Sequence, residues 1–476
     1  MWEPMNTLSV NFPDKVTGLP KKEKAILSEL FDIYNKHYTA NVKKNKYYEG
    51  LVTLADVNLG IALPNGLGKV GIGCSWGAKT VDVLAARSMF DGYVDENGTD
   101  LILLTEIVKN NNLLTEYIKA CRDELKFGCS FATLSANKKL KCSIKFHSPM
   151  TSAAKWDGAK GRIAYGFAII ATDIKDEFIV PVVMNLYTDN AIWVISYDNK
   201  TDTWSAVKHE NKMGRPLMEP LIWNATSTKP FGRSRIKYPI RELINGYVRT
   251  VANATIGLEF ATAPQKYLLG ITDEQYDKII DNKFKQYVGN ILAATTNPET
   301  GEKPTFGQLQ QGTLSPHVEM IRVLATQFSA ASGLPVTDTG VVNDANPTSS
   351  DAIMAQSKTL IGMAEELNAG NGNSLRTIAL MALAIAQNKT IDELTDDEKA
   401  VVAHCKNPAM PSVAATTDAA MKIASVRESF ANTDTFLEMV GFDQADIRRI
   451  KSQEQRVRGL NLISELNNEN NEGGME

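Results

Sequence analysis

The sequence predicts a mixed α+β fold, mainly helical, with a β-rich segment in its N-terminal half. Two observations carry this. Ile240, Leu243, Ile244, Tyr247, Val251, Ala254, Leu258 and Ala261 recur every three or four positions, the spacing of one face of a long helix. Between about Lys141 and Ile222 the texture changes to β-branched and aromatic runs, such as Phe167–Ile170, Phe178–Val180 and Ala191–Ile195. Turn residues separate them, so they read as short strands, with a period too uneven to give their order.

Composition bounds the rest. A chain of 476 residues, 43% apolar and 22% charged, suits a folded body of roughly two to four units. Its 51 Lys and Arg against 55 Asp and Glu leave a net charge of −4, which argues against salt-sensitive wrapping of nucleic acid over a broad basic face. The five cysteines have no CxxC spacing, so neither a disulfide framework nor a zinc knuckle is expected, and a reducing compartment is. Met1 to Pro20 has no apolar core of a secretory signal, so no export is expected. The longest apolar helical stretch, Ile378 to Ala386, falls short of the ~20 residues a membrane span requires, so a soluble protein is expected.

In chain order, Lys21 to Tyr48 is helical and basic, with Ile26, Leu30 and Ile33 on one face and Lys43, Lys44 and Lys46 at the far end as a solvated face. A Gly-rich turn from Asn65 to Gly77 leads into a helix through Val81, Leu84 and Ala85, and Leu101 to Leu125 reads as helix. After the β-rich segment comes the long helix, which Pro239 opens and Pro264 closes. His317 to Ser332 is a second helix, with Val318, Ile321, Ala325 and Phe328 on one face and Gly333 and Pro335 as stop signals. The intervening residues, punctuated at Asn297–Pro304, form a compact insertion. A loop, Leu334 to Pro347, precedes a third helix that starts near Thr348 and Asp351 and carries Ile353, Leu360, Ala364 and Leu367 on its apolar face. Gly370 and Gly372 predict a kink or break before Leu375 to Gln387. Helices follow around Asp418 to Ser429, Thr435 to Val440 and Asp443 to Leu466, and the Asn- and Glu-rich end from Asn467 reads as disordered.

Motifs for catalysis are weak throughout. Gly66–Gly71 matches GxGxxG, but Pro64 precedes it where a dinucleotide fold needs a strand, so it reads as a turn. No GxxxxGK[ST] loop occurs. His37, His147, His209, His317 and His404 lack metal-ligand spacing. The acidic runs Asp273-Glu274 and Asp396–Glu398 sit where helices begin, which suits the helix dipole better than a metal. These readings predict no metal, no cofactor and no catalytic residue.

Four segments in order carry a resemblance: Lys229-Pro-Phe-Gly-Arg-Ser-Arg-Ile236, Glu259-Phe-Ala-Thr-Ala-Pro-Gln-Lys-Tyr-Leu-Leu-Gly270, Gly333-Leu-Pro335 and Asn346-Pro-Thr-Ser-Ser-Asp-Ala-Ile353. Together they resemble the portal proteins of long-tailed, siphovirus-type bacteriophages. That resemblance implies a structural protein of the virion, made in the host cytoplasm, whose dodecameric ring sits at one capsid vertex. Double-stranded DNA is packaged through such a ring by the terminase large subunit and later ejected into the tail, and its other partners are head-completion, major capsid and scaffolding proteins. It assigns residues 1–237 to a wing, 238–262 and 317–333 to stem helices, 263–316 to a clip, 334–347 to a tunnel loop, 348–413 to a long kinked helix returning to the wing, and 414–476 to a crown and tail. It places Leu243, Tyr247, Val251 and Leu258 at the stem interface between subunits, and Asp338, Val341, Val342, Asn343 and Asp344 along the DNA channel. The loop has no Lys or Arg, as a conduit that must not grip phosphates requires. A metal-dependent nucleic-acid-processing enzyme and a non-viral oligomeric scaffold are the alternatives.

Overall fold

The computed structural model describes residues 16–57, 72–95, 101–175, 178–198, 201–262, 266–270, 301, 303, 305–308, 313–340, 350–409 and 413–472. The fold is α+β, and the chain divides into two compact units, one of residues 1–44, 81–235 and 351–476, the other of residues 45–80 and 236–350.

In the first unit, helix α1 (Lys21–Tyr48) lies on an antiparallel sheet. The strands β5 (Ser152–Asp157), β6 (Arg162–Lys175), β7 (Phe178–Tyr187), β8 (Ala191–Asp198) and β9 (Thr203–Glu210) form a meander, and β1 (Val16–Thr17) adds in parallel at the β9 edge. The order that the uneven period concealed is thus the simplest one, each strand beside its predecessor. Phe167 and Ile169, Met184 and Leu186, Trp193 and Ile195 are each two residues apart, so they share the face on which Leu27, Leu30, Phe31 and Tyr34 pack. Phe31 stacks on Phe167 with ring centroids 4.8 Å apart.

A second sheet orders β10 (Met218–Ile222), β3 (Cys129–Asn137) and β4 (Lys141–His147), with β3 central and α4 (Leu113–Phe127) against it. The β-rich segment therefore begins at Cys129, earlier than the sequence texture indicates. The predicted helix from Leu101 to Leu125 is two helices, α3 (Ile102–Asn110) and α4. Asn111 explains the break: its amide donates to the Cys142 carbonyl and its Oδ1 accepts from the Ile144 N–H, both at 2.9 Å. Asn112 then takes a left-handed conformation, φ 49°, which asparagine tolerates better than most residues.

Strand β2 (Phe90–Asp95) pairs with β13 (Val401–Cys405), residues far apart in the chain. Helix α7 (Ser350–Gln387) runs 38 residues without interruption, so of the kink or break expected at Gly370 and Gly372 the break does not occur. Two helical glycines cost only about 1 kcal/mol each. The buried Leu367, Leu375, Ile378 and Ala379 on either side hold the helix through them. The short α8 (Asp396–Lys399), then α9 (Val413–Val426), α10 (Asp434–Val440) and α11 (Gln444–Glu472) complete this unit. Helix α11 continues past Asn467, where disorder was expected; no Pro or Gly intervenes before Gly473, so nothing in the backbone chemistry stops it.

The second unit contains α2 (Trp76–Ala85) up to Thr80, α5 (Tyr238–Thr262), α6 (Ser315–Ser332) and a small hairpin of β11 (Lys266–Leu269) with β12 (Thr305–Gln308). The turn motif Gly66–Gly71, the acidic pair Asp273-Glu274, most of the predicted insertion and Thr348 lie outside the described residues. No helix of the described residues is long and apolar enough to cross a membrane.

Candidate functional site

The two long helices of the second unit, α5 and α6, pack against each other along one seam. On α5 the fully buried line is Ile240, Ile244, Val248 and Ala252, a strict four-residue ridge. It is turned from the predicted stripe, because Leu243, Tyr247 and Val251 are half-buried and Leu258 is 49% exposed. The side chain of Ala261 lies outside the described residues. Glycine sets the closeness of the seam: a Cβ added at Gly246 would meet Leu324 Cδ2 of α6 at 3.1 Å, and one at Gly257 would meet Leu314 Cδ2 at 3.4 Å.

Helix α6 contributes Leu324, Ala325 and Phe328 to the seam. Pro316 stands in its first turn, and Gly333 ends it with φ 69° and an N–H donated to the Ser329 carbonyl, both as the sequence requires. Val318, expected on the apolar face, is 49% exposed, and Met320 and Val323 are exposed beside it. Among the described residues α6 packs on α5, on Trp76 of α2 and on the turn after it, and Val318, Met320 and Val323 lie away from these contacts. Tyr238 at the start of α5 is also exposed.

An aromatic cluster fixes where the following loop departs. Trp76 stacks on Phe328, centroids 4.7 Å apart, and tilts against Tyr247 at 4.8 Å. Burial raises the Tyr247 hydroxyl above its ordinary range and pushes the Cys74 thiol up to about 11. The Trp76 indole N–H donates to the Thr339 carbonyl at 3.3 Å, and Lys79 Nζ donates to the Asp338 carbonyl. Leu334 is buried, and its carbonyl accepts from Ser329 Oγ at 2.6 Å. The first part of the loop is thus a short 3-10 turn, Val336–Thr339, held by α2, with Gly340 at φ 82° after it. Of the residues assigned to a channel, Asp338 lies in this turn; Val341, Val342, Asn343 and Asp344 lie outside the described residues. The sequence reading missed Trp76 and Lys79, whose role depends on a loop more than 250 positions away.

The segment Lys229–Ile236 before α5 is a tight turn built on α4 and β10. A Cβ at Gly232 would strike the Trp223 carbonyl oxygen at 2.1 Å, so only glycine fits. Arg235 is 6% exposed, donates its backbone N–H to the Leu125 carbonyl at 2.9 Å, and stands 5.8 Å over the Trp223 ring. Burial lowers its guanidinium pKa to about 10.

Among the described residues, no three His, Cys, Asp or Glu side chains gather as a metal site would need. The run Asp396–Glu398 forms a helix start, as its sequence suggests: Glu398 accepts from the Thr395 N–H at 2.9 Å while Thr395 Oγ1 accepts from the Glu398 N–H, a reciprocal capping box. Lys44 and Lys46 of the basic end of α1 are engaged by the protein itself, Lys44 with the Phe127 carbonyl at 3.1 Å and Lys46 with Asp56 at 2.7 Å.

No protein-family model and no curated protein matches this chain. Among solved structures it is similar to the neck of a native GTA particle computed with C12 symmetry, at 11% identity and TM-score 0.44 over 78% of this chain and 91% of that one. It is similar to the neck of an empty GTA particle computed with C6 symmetry, at 12% identity and TM-score 0.43 over 74% and 85%. A HK97 family phage portal protein from Corynebacterium diphtheriae is similar at 10% identity and TM-score 0.31, over 69% of this chain and 90% of that one.

Proposed function

We propose that this chain is the subunit of a portal-type ring that conducts double-stranded DNA through one vertex of a phage capsid and performs no chemistry of its own. The observation that carries the reading is the α5–α6 pair. Its two long helices bury one seam and leave Tyr238, Leu258, Val318, Met320 and Val323 exposed, apolar surface that adjacent copies in a closed ring would cover. The four segments that resemble portal proteins flank or lie on this pair and the loop after it.

In this reading Leu243, Tyr247, Val251 and Leu258 face neighbouring subunits. Residues 334–347, with Asp338, Val341, Val342, Asn343 and Asp344, line the channel. Their want of Lys and Arg lets the duplex slide, since every phosphate contact would add to the grip. The partners are eleven further copies by analogy with dodecameric portals, the terminase large subunit, head-completion, capsid and scaffolding proteins, and the place is the virion. Electron microscopy of the purified protein tests this: rings with a central hole are expected, and uniformly compact monomers would contradict it. Val341→Lys and Asn343→Lys should leave rings intact but slow packaging at low salt, with recovery as salt screens the added charge.

A further inference from the structure

A buried polar network joins α4 to the middle of α7 within the first unit. Glu124, Tyr117, Asn371 and Ser88 are each 0% exposed. Asn371 stands between the two glycines, Gly370 and Gly372, that were expected to kink or break the helix.

The hydrogens of this network can be assigned one by one. Ser88 Oγ donates to Asn368 Oδ1 at 2.6 Å, which uses its only hydrogen. The Tyr117 hydroxyl, 2.8 Å from Ser88 Oγ, must therefore be the donor in that bond. Asn371 Nδ2 donates one hydrogen to the Tyr117 oxygen at 3.1 Å and the other to Glu124 Oε2 at 2.8 Å. Two acceptors are left with no partner, Glu124 Oε1 and Asn371 Oδ1, on the two side chains that already share a bond. A buried carboxylate would leave both stranded and a charge unpaired, each costly. One proton on Glu124 Oε1 converts one orphan into a donor for the other, and a carboxylic acid with a primary amide forms a closed two-point pair.

We infer that Glu124 is a neutral carboxylic acid whose proton closes a second hydrogen bond to Asn371, making the pair an alkali-released latch between α4 and α7. No cation faces it. The titratable groups around the network are Tyr117 and Cys121 of α4, with Arg122 of the same helix acting on Cys121, Cys129 of β3, with Lys44 of α1 acting on Cys129, Cys405 of β13, which acts on both Tyr117 and Cys121, and Tyr93 of β2 near Cys405. Burial raises all of these thiols and phenols, so the carboxyl is the group that titrates first. Desolvation raises Glu124 to about 8, against an ordinary 4.5, and the Asn371 amide offsets this only in part. A raised folded-state value means that the stabilisation is full below about pH 4.5, declines as pH rises, and is gone above about pH 8, with each unit in that window worth about a tenfold change in the folded-to-unfolded ratio.

The test uses the full chain, wild type and Glu124→Gln, whose amide supplies a donor and an acceptor at every pH. Infrared difference spectra of the wild type at about pH 6 should show the carbonyl band of a neutral buried acid, shifted by labelling with carbon-13 glutamate and lost in alkali. Denaturation midpoints of the wild type should fall between about pH 5 and 8 by more than those of Glu124→Gln, which should match the wild type near pH 5 and exceed it in alkali. Absence of the acid band in the wild type, or an identical pH profile in the folded variant, would overturn the inference.

Discussion

The α1-covered sheet and the α5–α6 pair both place a helix on an apolar face, yet one is closed and the other open. Leu27 and Leu30 of α1 are 0% exposed, enclosed by the sheet face beneath them. Val318 and Val323 of α6 are each 49% exposed although they are as apolar as the buried residues around them. The contrast teaches that burial in this chain is a property of partners rather than of residue type. A sheet supplies a broad partner for one face of a helix, whereas a single antiparallel helix leaves much of each circumference uncovered.

The comparison is broken or sharpened by substitution. Phe328→Ala and Phe167→Ala each remove a fully buried, stacked ring and should each destabilise by about 3 to 5 kcal/mol. Amide exchange should show Phe328→Ala loosening residues 236–340 selectively and Phe167→Ala loosening the sheet; uniform loosening by either would merge the two units into one cooperative body. A smaller effect belongs to His147, whose ring lies 2.8 Å from Thr133 Oγ1 in the second sheet. Burial, with Lys145 second, lowers its pKa from 6.5 to about 4, so the unfolded chain binds the proton first and stability is lost as pH falls from about 6.5 through 4. His147→Gln should flatten acid unfolding in that window by about 2 kcal/mol, and an unchanged acid midpoint would contradict it.

Thr395→Ala removes the capping box of α8 and should cost about 1 kcal/mol in a denaturant titration. Smallest of all, Val318→Ser on the open face should change monomer stability by less than about 0.5 kcal/mol; a larger loss would mean that this residue is packed within the single chain.

How much of this was legible in the sequence follows from how local each cause is. Lys21–Tyr48, the start of α5 at Tyr238 and the end of α6 at Ser332 were readable, because apolar spacing, Pro239 and Gly333 act within a turn or two. The split at Asn111 was not, since it depends on a β4 backbone some thirty residues onward. Nor was the continuity of α7, since Asn371 is held by α4. The Glu124 site did leave a trace: Tyr117, Cys121 and Glu124 follow helical spacing onto one buried face, which puts a carboxyl where only a partnered one can stay. The buried ridge of α5 shares only Ile240 and Ile244 with the apolar stripe read from the sequence, because the face that a helix buries is set by its partners and not by its own spacing.

The central claim is that the open face of the helix pair is closed by further copies of the same chain. Sedimentation of the wild type beside Val323→Asp tests it most directly, since an exposed position accepts a charge in a monomer while a covered one does not. The account predicts a ring-sized species for the wild type and a folded monomer for Val323→Asp. A wild type that sediments as a monomer, or a variant that assembles as the wild type does, would contradict it.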